Sequence, residues 1–316
     1  MLGCLIQLLT KPRGAHPSSS NFYRLSLFNF NMNQSQIIAA ALGKPLWSTD
    51  SFVPRYRSGE CGPWRINPGG QIVHDWGYVS GPCVLAMLPS LARKVESPGS
   101  SGGRWETWMS LTPHEIESQE LGFRHAYGHT VIMGLGMGWI AANCAINPRV
   151  TRVTIVERDP DVIRLFHDSG AFDSLPDDAQ QKIAIVNADA MEWRPASTTP
   201  VNFLYVDIWL HLAESAAMGQ VSRMQENVQA EQIYFWGQEL AIYAAIRRAS
   251  KDPAAITADA IGQAVNDVIA LPLLVPHDLD YANMIEAVVQ NRIARRLRVE
   301  MDIGLQTHEQ RITPGT

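Results

Sequence analysis

Three glycines alternate in the phrase His129-Thr-Val-Ile-Met-Gly-Leu-Gly-Met-Gly-Trp139, at Gly134, Gly136 and Gly138. A tight turn leading from a strand into a helix needs backbone at positive φ and room for a ligand beside the main chain. Glycine supplies both at low cost. The N–H groups at the start of the following helix have no intrahelical partner and face whatever lies over the turn. A nicotinamide-type fingerprint, G-x-G-x-x-G, would need its third glycine at Trp139, so the spacing here is G-x-G-x-G instead.

Three acids follow in an informative order. Glu157 closes the apolar run 153–156, where its carboxylate can accept hydrogen bonds from a pair of ribose hydroxyls through strong charge-assisted contacts. Asp189 follows Val186-Asn-Ala and can accept from an adenine amino group, with the Ala190 amide beside it and Met191 or Trp193 closing over the base. Asp207 ends Phe203-Leu-Tyr-Val and falls where the reacting end of a ligand would lie. Asp159 and Asp161 read as helix caps. His211 and Glu214 follow Asp207 and read as structural, as do His277, Asp278 and Asp280, so no metal site is expected.

For these acids to meet, their segments must be strands of one sheet. Short β-branched or aromatic runs at 130–133, 152–156, 183–186 and 202–206 alternate with helical patterns, which predicts βαβ units on a parallel sheet with helices on both faces, a Rossmann-like α/β fold. Thr112-Pro-His-Glu115 has the form of a capping box and predicts a helix from about 113 to 127. Before it, 36–111 reads as a small antiparallel β domain. One hairpin is expected across Asn67-Pro-Gly-Gly70 and another across the Gly/Ser loop at 98–103. After Asp207 the strand signal fades: Ile233, Trp236, Leu240 and Ala244 recur at helical spacing, and 216–316 reads as a mostly helical C-terminal region following a cofactor-binding domain at 112–215. Residues 1–35 read as a disordered leader. Arg292, Arg295, Arg296 and Arg298 read as a solvated helix face.

From 112 to 209 the chain resembles the class I S-adenosylmethionine-dependent methyltransferase superfamily, on the helix, the glycine loop, the Val-Glu-x-Asp-Pro-x-Val phrase from Val156 to Val162, the Asp189-Ala190 pair and Val206-Asp207. The β-rich start is similar to the spermidine-synthase-like branch. The resemblance implies S-adenosylmethionine as cofactor, Gly134, Gly136 and Gly138 as its loop, Glu157 as ribose ligand, Asp189 and Ala190 as adenine ligands, and Asp207 as an acid beside the reaction centre. Two positions depart from the pattern. Met137 stands where aminopropyl-transferring members carry an acid, and Met133 stands where many methyltransferases carry one. Methyl transfer to a small-molecule acceptor is therefore the expected activity. A spermidine-synthase-like aminopropyltransferase and a nucleotide-binding module without turnover are the alternatives.

The whole-chain numbers agree with an enzyme of this kind. The 316 residues, 46% hydrophobic and 18% charged, can bury a substantial core and exclude global disorder. A net charge of −5 argues against nucleic acid as partner. No run reaches the ~20 apolar residues of a membrane span, so no membrane partner is expected. Four scattered cysteines without a C-x-x-C suit a reducing, cytoplasmic setting, and a homodimer is compatible with all of this.

Overall fold

A computed structural model describes residues 36–69, 73–85, 89–96, 103–196, 199–212, 214–249 and 255–312. The expected leader at 1–35 lies outside the described residues. Helix α1 (36–42) leads into six short strands. These are β1 (Gly59–Cys61), β2 (Trp64–Asn67), β3 (Val73–Trp76), β4 (Pro82–Leu85), β5 (Ser90–Val95) and β6 (Arg104–Ser110). They form an antiparallel sheet in the order β1-β2-β5-β6 and a separate β3-β4 pair. The pairing across the Gly/Ser loop forms as expected, Leu91 opposite Met109 and Val95 opposite Arg104. The hairpin expected across 67–70 does not. Both edges of β2 are already filled, by β1 through a tight turn at Gly62 (φ 54°) and by β5 on the other side, so the chain leaving Asn67 starts a new pair with β4.

Next come α2 (Pro113–His125), β7 (Gly128–Met133), α3 (Trp139–Ile146), β8 (Val150–Glu157), α4 (Pro160–Ser169), α5 (Asp177–Gln181), β9 (Ile183–Asn187), β10 (Phe203–Val206), α6 (Ala217–Val228), β11 (Gln232–Phe235) and α7 (Gln238–Ala249). The Thr112 hydroxyl accepts from the Glu115 N–H, which starts α2 where the capping pattern placed it. Five parallel strands lie in the order β11-β10-β7-β8-β9. All four sheet strands expected from their β-branched and aromatic runs are present, within a residue or two of the expected ends.

The fifth, β11, lies in the stretch read as helical. Ile233 belongs to this strand, and helical spacing begins only at Gln238. The run Ile233-Tyr-Phe-Trp236 is apolar on both faces because a parallel strand inside a sheet is covered on both sides, so its period is masked. Beyond α7 the chain is helical, through α8 (Ala258–Gln263), a π-helical turn (Ala264–Ile269) and α9 (Tyr281–Ile312). Among the described residues no helix is long and apolar enough to cross a membrane.

Chain order places the functional edge. The sheet grows from β7 through β8 to β9, then the chain returns across β7 to lay down β10 and β11 on the other side. Crossovers of one hand in opposite directions leave opposite faces of the sheet, so a crevice opens between the carboxyl ends of β7 and β10.

Candidate functional site

Register brings the chemistry-bearing residues to that crevice. Met133 pairs with Val156 of β8 and with Val206 of β10, so Gly134, Glu157 and Asp207, the residues immediately after them, leave the sheet at one level. Glu157 in turn pairs with Asn187 of β9, two residues before Asp189. One cavity of about 360 Å³ is lined by all seven expected site residues: Gly134, Gly136, Gly138, Glu157, Asp189, Ala190 and Asp207. Its size falls in the ~300–1,000 Å³ range of small-molecule sites. Trp139, Met191 and Trp209 also line it, whereas Trp193 does not.

The glycines differ in what they permit. All three have positive φ, at 99°, 51° and 70°. A Cβ on Gly134 would sit 2.2 Å from the Asp207 carbonyl oxygen, so this residue lets the two strand ends converge. A Cβ on Gly138 would strike the Phe166 ring of α4 at 2.3 Å. Gly136 is opposed only by the mobile end of Met109, at 2.6 Å. Gly138 caps α3 without a side chain, leaving the first-turn N–H groups without a side-chain acceptor. Met133 and Met137 are both wholly buried, and the Met137 carbonyl accepts from the Tyr56 hydroxyl at 2.9 Å.

Glu157 is fixed before any ligand arrives. One carboxylate oxygen accepts from the Leu135 N–H (3.0 Å) and the other from the Asp159 N–H (2.8 Å). A carboxylate has about four lone-pair positions, so each oxygen keeps one for a ligand hydroxyl. The Asp189 Oδ1 accepts from the Met191 N–H at 2.8 Å, which orients its other oxygen without consuming it.

Asp207 does not stand alone. The Gln119 side-chain amide, buried in α2, donates to Asp207 Oδ2 (3.0 Å) and to Glu115 Oε1 (2.8 Å). Both carboxyls face the cavity. Burial pushes Asp207 up to about 7. Glu115 lies well above the usual carboxylate range, first through burial and then through the charge of Asp207. Two like charges this close cannot both ionise cheaply, so the pair holds a proton near neutrality.

Glu115 and Gln119 were not among the residues expected at the site. Glu115 was legible only as a capping residue, and its backbone does make the cap while its side chain turns inward to Gln119. An acid and an amide four apart on one helix face was the available signal. The opposite wall was also missed. Trp64, Arg93, Trp108 and Met109 come from the antiparallel sheet, with the Arg93 guanidinium 5.3 Å from the Trp64 ring and 5.8 Å from that of Trp108. Asp159 accepts from the Trp64 indole N–H at 2.8 Å, locking this wall to the cap of α4 as well as filling the expected capping role.

The remaining candidates stand elsewhere. Glu214 accepts from the Ser215 N–H at 2.9 Å. Asp278 pairs with His125 at 3.1 Å and Asp280 accepts from the Asn283 N–H at 3.1 Å. Among the described residues no group of three or more His, Cys, Asp or Glu side chains is placed to hold a metal. Arg295 of the basic cluster reaches Asp75 of β3 at 3.8 Å.

No family model matches the chain, and no curated protein matches it. Matching solved structures include the 23S rRNA methyltransferase ErmE, 16% identical over 37% of this chain and 43% of that one, with a TM-score of 0.29. Another is the glycopeptide N-methyltransferase MtfA in complex with S-adenosyl-L-methionine, 18% identical over 35% and 48%, TM-score 0.27. A third is precorrin-6y C5,15-methyltransferase from Geobacter metallireducens, 13% identical over 49% and 70%, TM-score 0.29. The matched region spans less than half the length of the first two. At these identities and TM-scores the likenesses carry no weight for the chemistry of this chain, which rests on its own site.

Proposed function

We propose that this chain is an S-adenosylmethionine-dependent methyltransferase acting on a small-molecule acceptor. The observation that carries the reading is the convergence of a three-glycine turn at positive φ with Glu157, Asp189 and Asp207 around one cavity, at the point where the strand order reverses. The cavity wall fits such a cofactor. It offers first-turn N–H groups of α3 without a side-chain acceptor and two anchored carboxylates with oxygen positions to spare.

In this reading Glu157 accepts from the ribose hydroxyls, Asp189 and the Ala190 amide address the adenine, and Gly134, Gly136 and Gly138 let the ligand lie against the backbone. When bound, the cofactor supplies a methyl group on a cationic sulfur. What the chain contributes is mainly placement, which in transfers between two held reactants can be worth ~7–11 kcal/mol. Asp207 then accepts a proton from the acceptor.

The buried Met137 supports methyl over aminopropyl transfer, because it leaves the loop without a carboxylate for a cofactor arm that ends in a bare ammonium. Calorimetric titration with S-adenosylmethionine, its decarboxylated form and NAD tests the reading. Tightest binding of S-adenosylmethionine is expected. Tighter binding of the decarboxylated form transfers the site to the aminopropyl reading, and binding of none of the three overturns both.

A further inference from the structure

The reacting end of the cavity holds more than the proposed activity has used. Glu115 and Asp207 are tied to one amide, and no Lys, Arg or His forms an ion pair with either among the described residues. Gln119 spends both of its N–H groups on them, so each carboxyl is held by design of the helix face rather than by chance. The same wall contains two donors that donate to nothing: the wholly buried Tyr205 hydroxyl and the Trp139 indole N–H, 2% exposed. Unpaired buried donors are rare, because each forfeits its hydration without recompense. Their presence in the wall of the cavity that the acid pair also lines, with Tyr205 acted on by both acids, marks a place shaped for a polar group from outside the chain.

The electrostatics choose its sign. The groups acting on Tyr205 of β10 beside the pair are Asp207, Glu115, Cys144 of α3 and Glu239 of α7, none of them a cation. Arg93 and Arg158 line the same cavity, and neither forms an ion pair with Glu115 or Asp207 among the described residues. A half-buried pair of acids with no ion-pair partner is compensated by a positive guest, and Trp209 and Trp236, whose ring type attracts cations, line the same cavity.

From the Gln119 bridge between Glu115 and Asp207 and the unpaired Tyr205 hydroxyl beside it, we infer that this end of the cavity seats the ammonium of an amine acceptor, with Glu115 as a second catalytic carboxyl. Arrival of R-NH₃⁺ displaces the proton the pair holds. Without cofactor the guest rests there as the ammonium on the ionised pair. In the reaction an N–H bond of the ammonium breaks and an O–H bond forms on the pair, leaving the nitrogen with the lone pair that nucleophilic attack requires. The pair ends with one proton and one negative charge, as it began. This inference rests on the methyltransferase reading only for what the freed amine does next. The seat itself is tested without cofactor.

Benzylamine and benzyl alcohol, alike in shape and different in charge, serve as probes of the full-length protein at pH 7.5, titrated calorimetrically in two buffers of different ionisation enthalpy. Benzylamine should bind at least about tenfold more tightly than the alcohol, with proton release. Glu115→Gln should weaken benzylamine about tenfold or more, suppress the release and leave the alcohol and S-adenosylmethionine unchanged. In the wild type, whatever the fate of that variant, benzylamine should remove the infrared band of a protonated carboxyl. Equal affinity for the two probes, no amine binding at 10 mM, an infrared band indifferent to amine, or wild-type amine binding by folded Glu115→Gln overturns the inference. Failure to bind S-adenosylmethionine overturns the methyltransferase reading and leaves the ammonium seat standing.

Discussion

Glu157 and Asp207 occupy equivalent places on β8 and β10, the two strands that flank β7, and are prepared oppositely. Glu157 meets two backbone N–H groups, which hold it in place with lone pairs to spare for a ligand. Asp207 meets an amide and another acid. In the proposed role Glu157→Ala should weaken S-adenosylmethionine about 10- to 100-fold, the equivalent of ~1.5–3 kcal/mol for hydrogen bonds to a charged group, read by calorimetry. For Asp207 the test is stability against pH. Its carboxyl titrates near 7 in the fold and near 3.8 when unfolded, so the folded state binds the extra proton between those values and stability falls as pH rises through the window. Asp207→Asn removes that loss. Thermal unfolding should show the variant gaining on wild type from pH 5 to pH 8 by about 2 kcal/mol, the full linkage being discounted for access of solvent through the cavity. A constant difference across that range would place the proton elsewhere.

At the scale of elements, closeness of approach decides which glycines can be replaced. Gly134→Ala and Gly138→Ala drive a methyl into the Asp207 carbonyl and the Phe166 ring, so each should lower stability by about 2–4 kcal/mol in denaturant unfolding. Gly136→Val meets only the flexible end of Met109 and adds the smaller cost of a β-branched residue at positive φ, about 1–2 kcal/mol. That variant should fold and fail to bind S-adenosylmethionine, which separates a loop that serves the ligand from one that serves the fold. Helix α2 makes the converse case. Gly122 lies mid-helix, where alanine ordinarily gains ~1 kcal/mol, but a Cβ there would stand 2.3 Å from the Tyr205 ring and 2.6 Å from that of Tyr234. Gly122→Ala should therefore destabilise despite its propensity, and by lifting α2 it should weaken the contact of Gln119 with Asp207.

Over the whole molecule, three regions are tied through one buried acid. Glu239, wholly buried at the start of α7, is approached by the hydroxyls of Tyr78 from the N-terminal region (2.9 Å), Tyr281 at the start of α9 (3.2 Å) and Tyr234 on β11 (3.3 Å). Burial raises its pKa while the three hydroxyls favour the charged form. Removing the acid orphans the Tyr78 and Tyr281 hydroxyls at once, while the Tyr234 hydroxyl keeps the Ser118 carbonyl at 2.7 Å, so Glu239→Ala should cost more than 3 kcal/mol, whereas Tyr78→Phe should cost about 1–2 kcal/mol. A double-mutant cycle in equilibrium unfolding checks the coupling. Additive losses would show that Tyr78 and Glu239 stabilise their regions separately.

The order of the central elements was legible in the sequence because each carries its own local physics: β-branched runs that prefer pleated backbone, a Thr-Pro-x-Glu phrase that satisfies helix N–H groups, and glycines where backbone must turn. The same runs end in Glu157 and Asp207, while Asp189 stands two residues past β9. Once the strands are parallel and in register these acids meet at one edge without further information. Other features had no local signal. β11 looked helical because a strand covered on both faces loses its alternation. The hairpin at 67–70 failed because β2 had found better partners at a distance. Glu115 reads as a cap along the chain and becomes half of an acid pair only when α2 settles on the tyrosines of β10 and β11. Local propensity therefore determined the elements and the acids at their ends. Tertiary packing alone decided which second carboxyl faces Asp207, because that proximity depends on how closely a helix can approach the sheet.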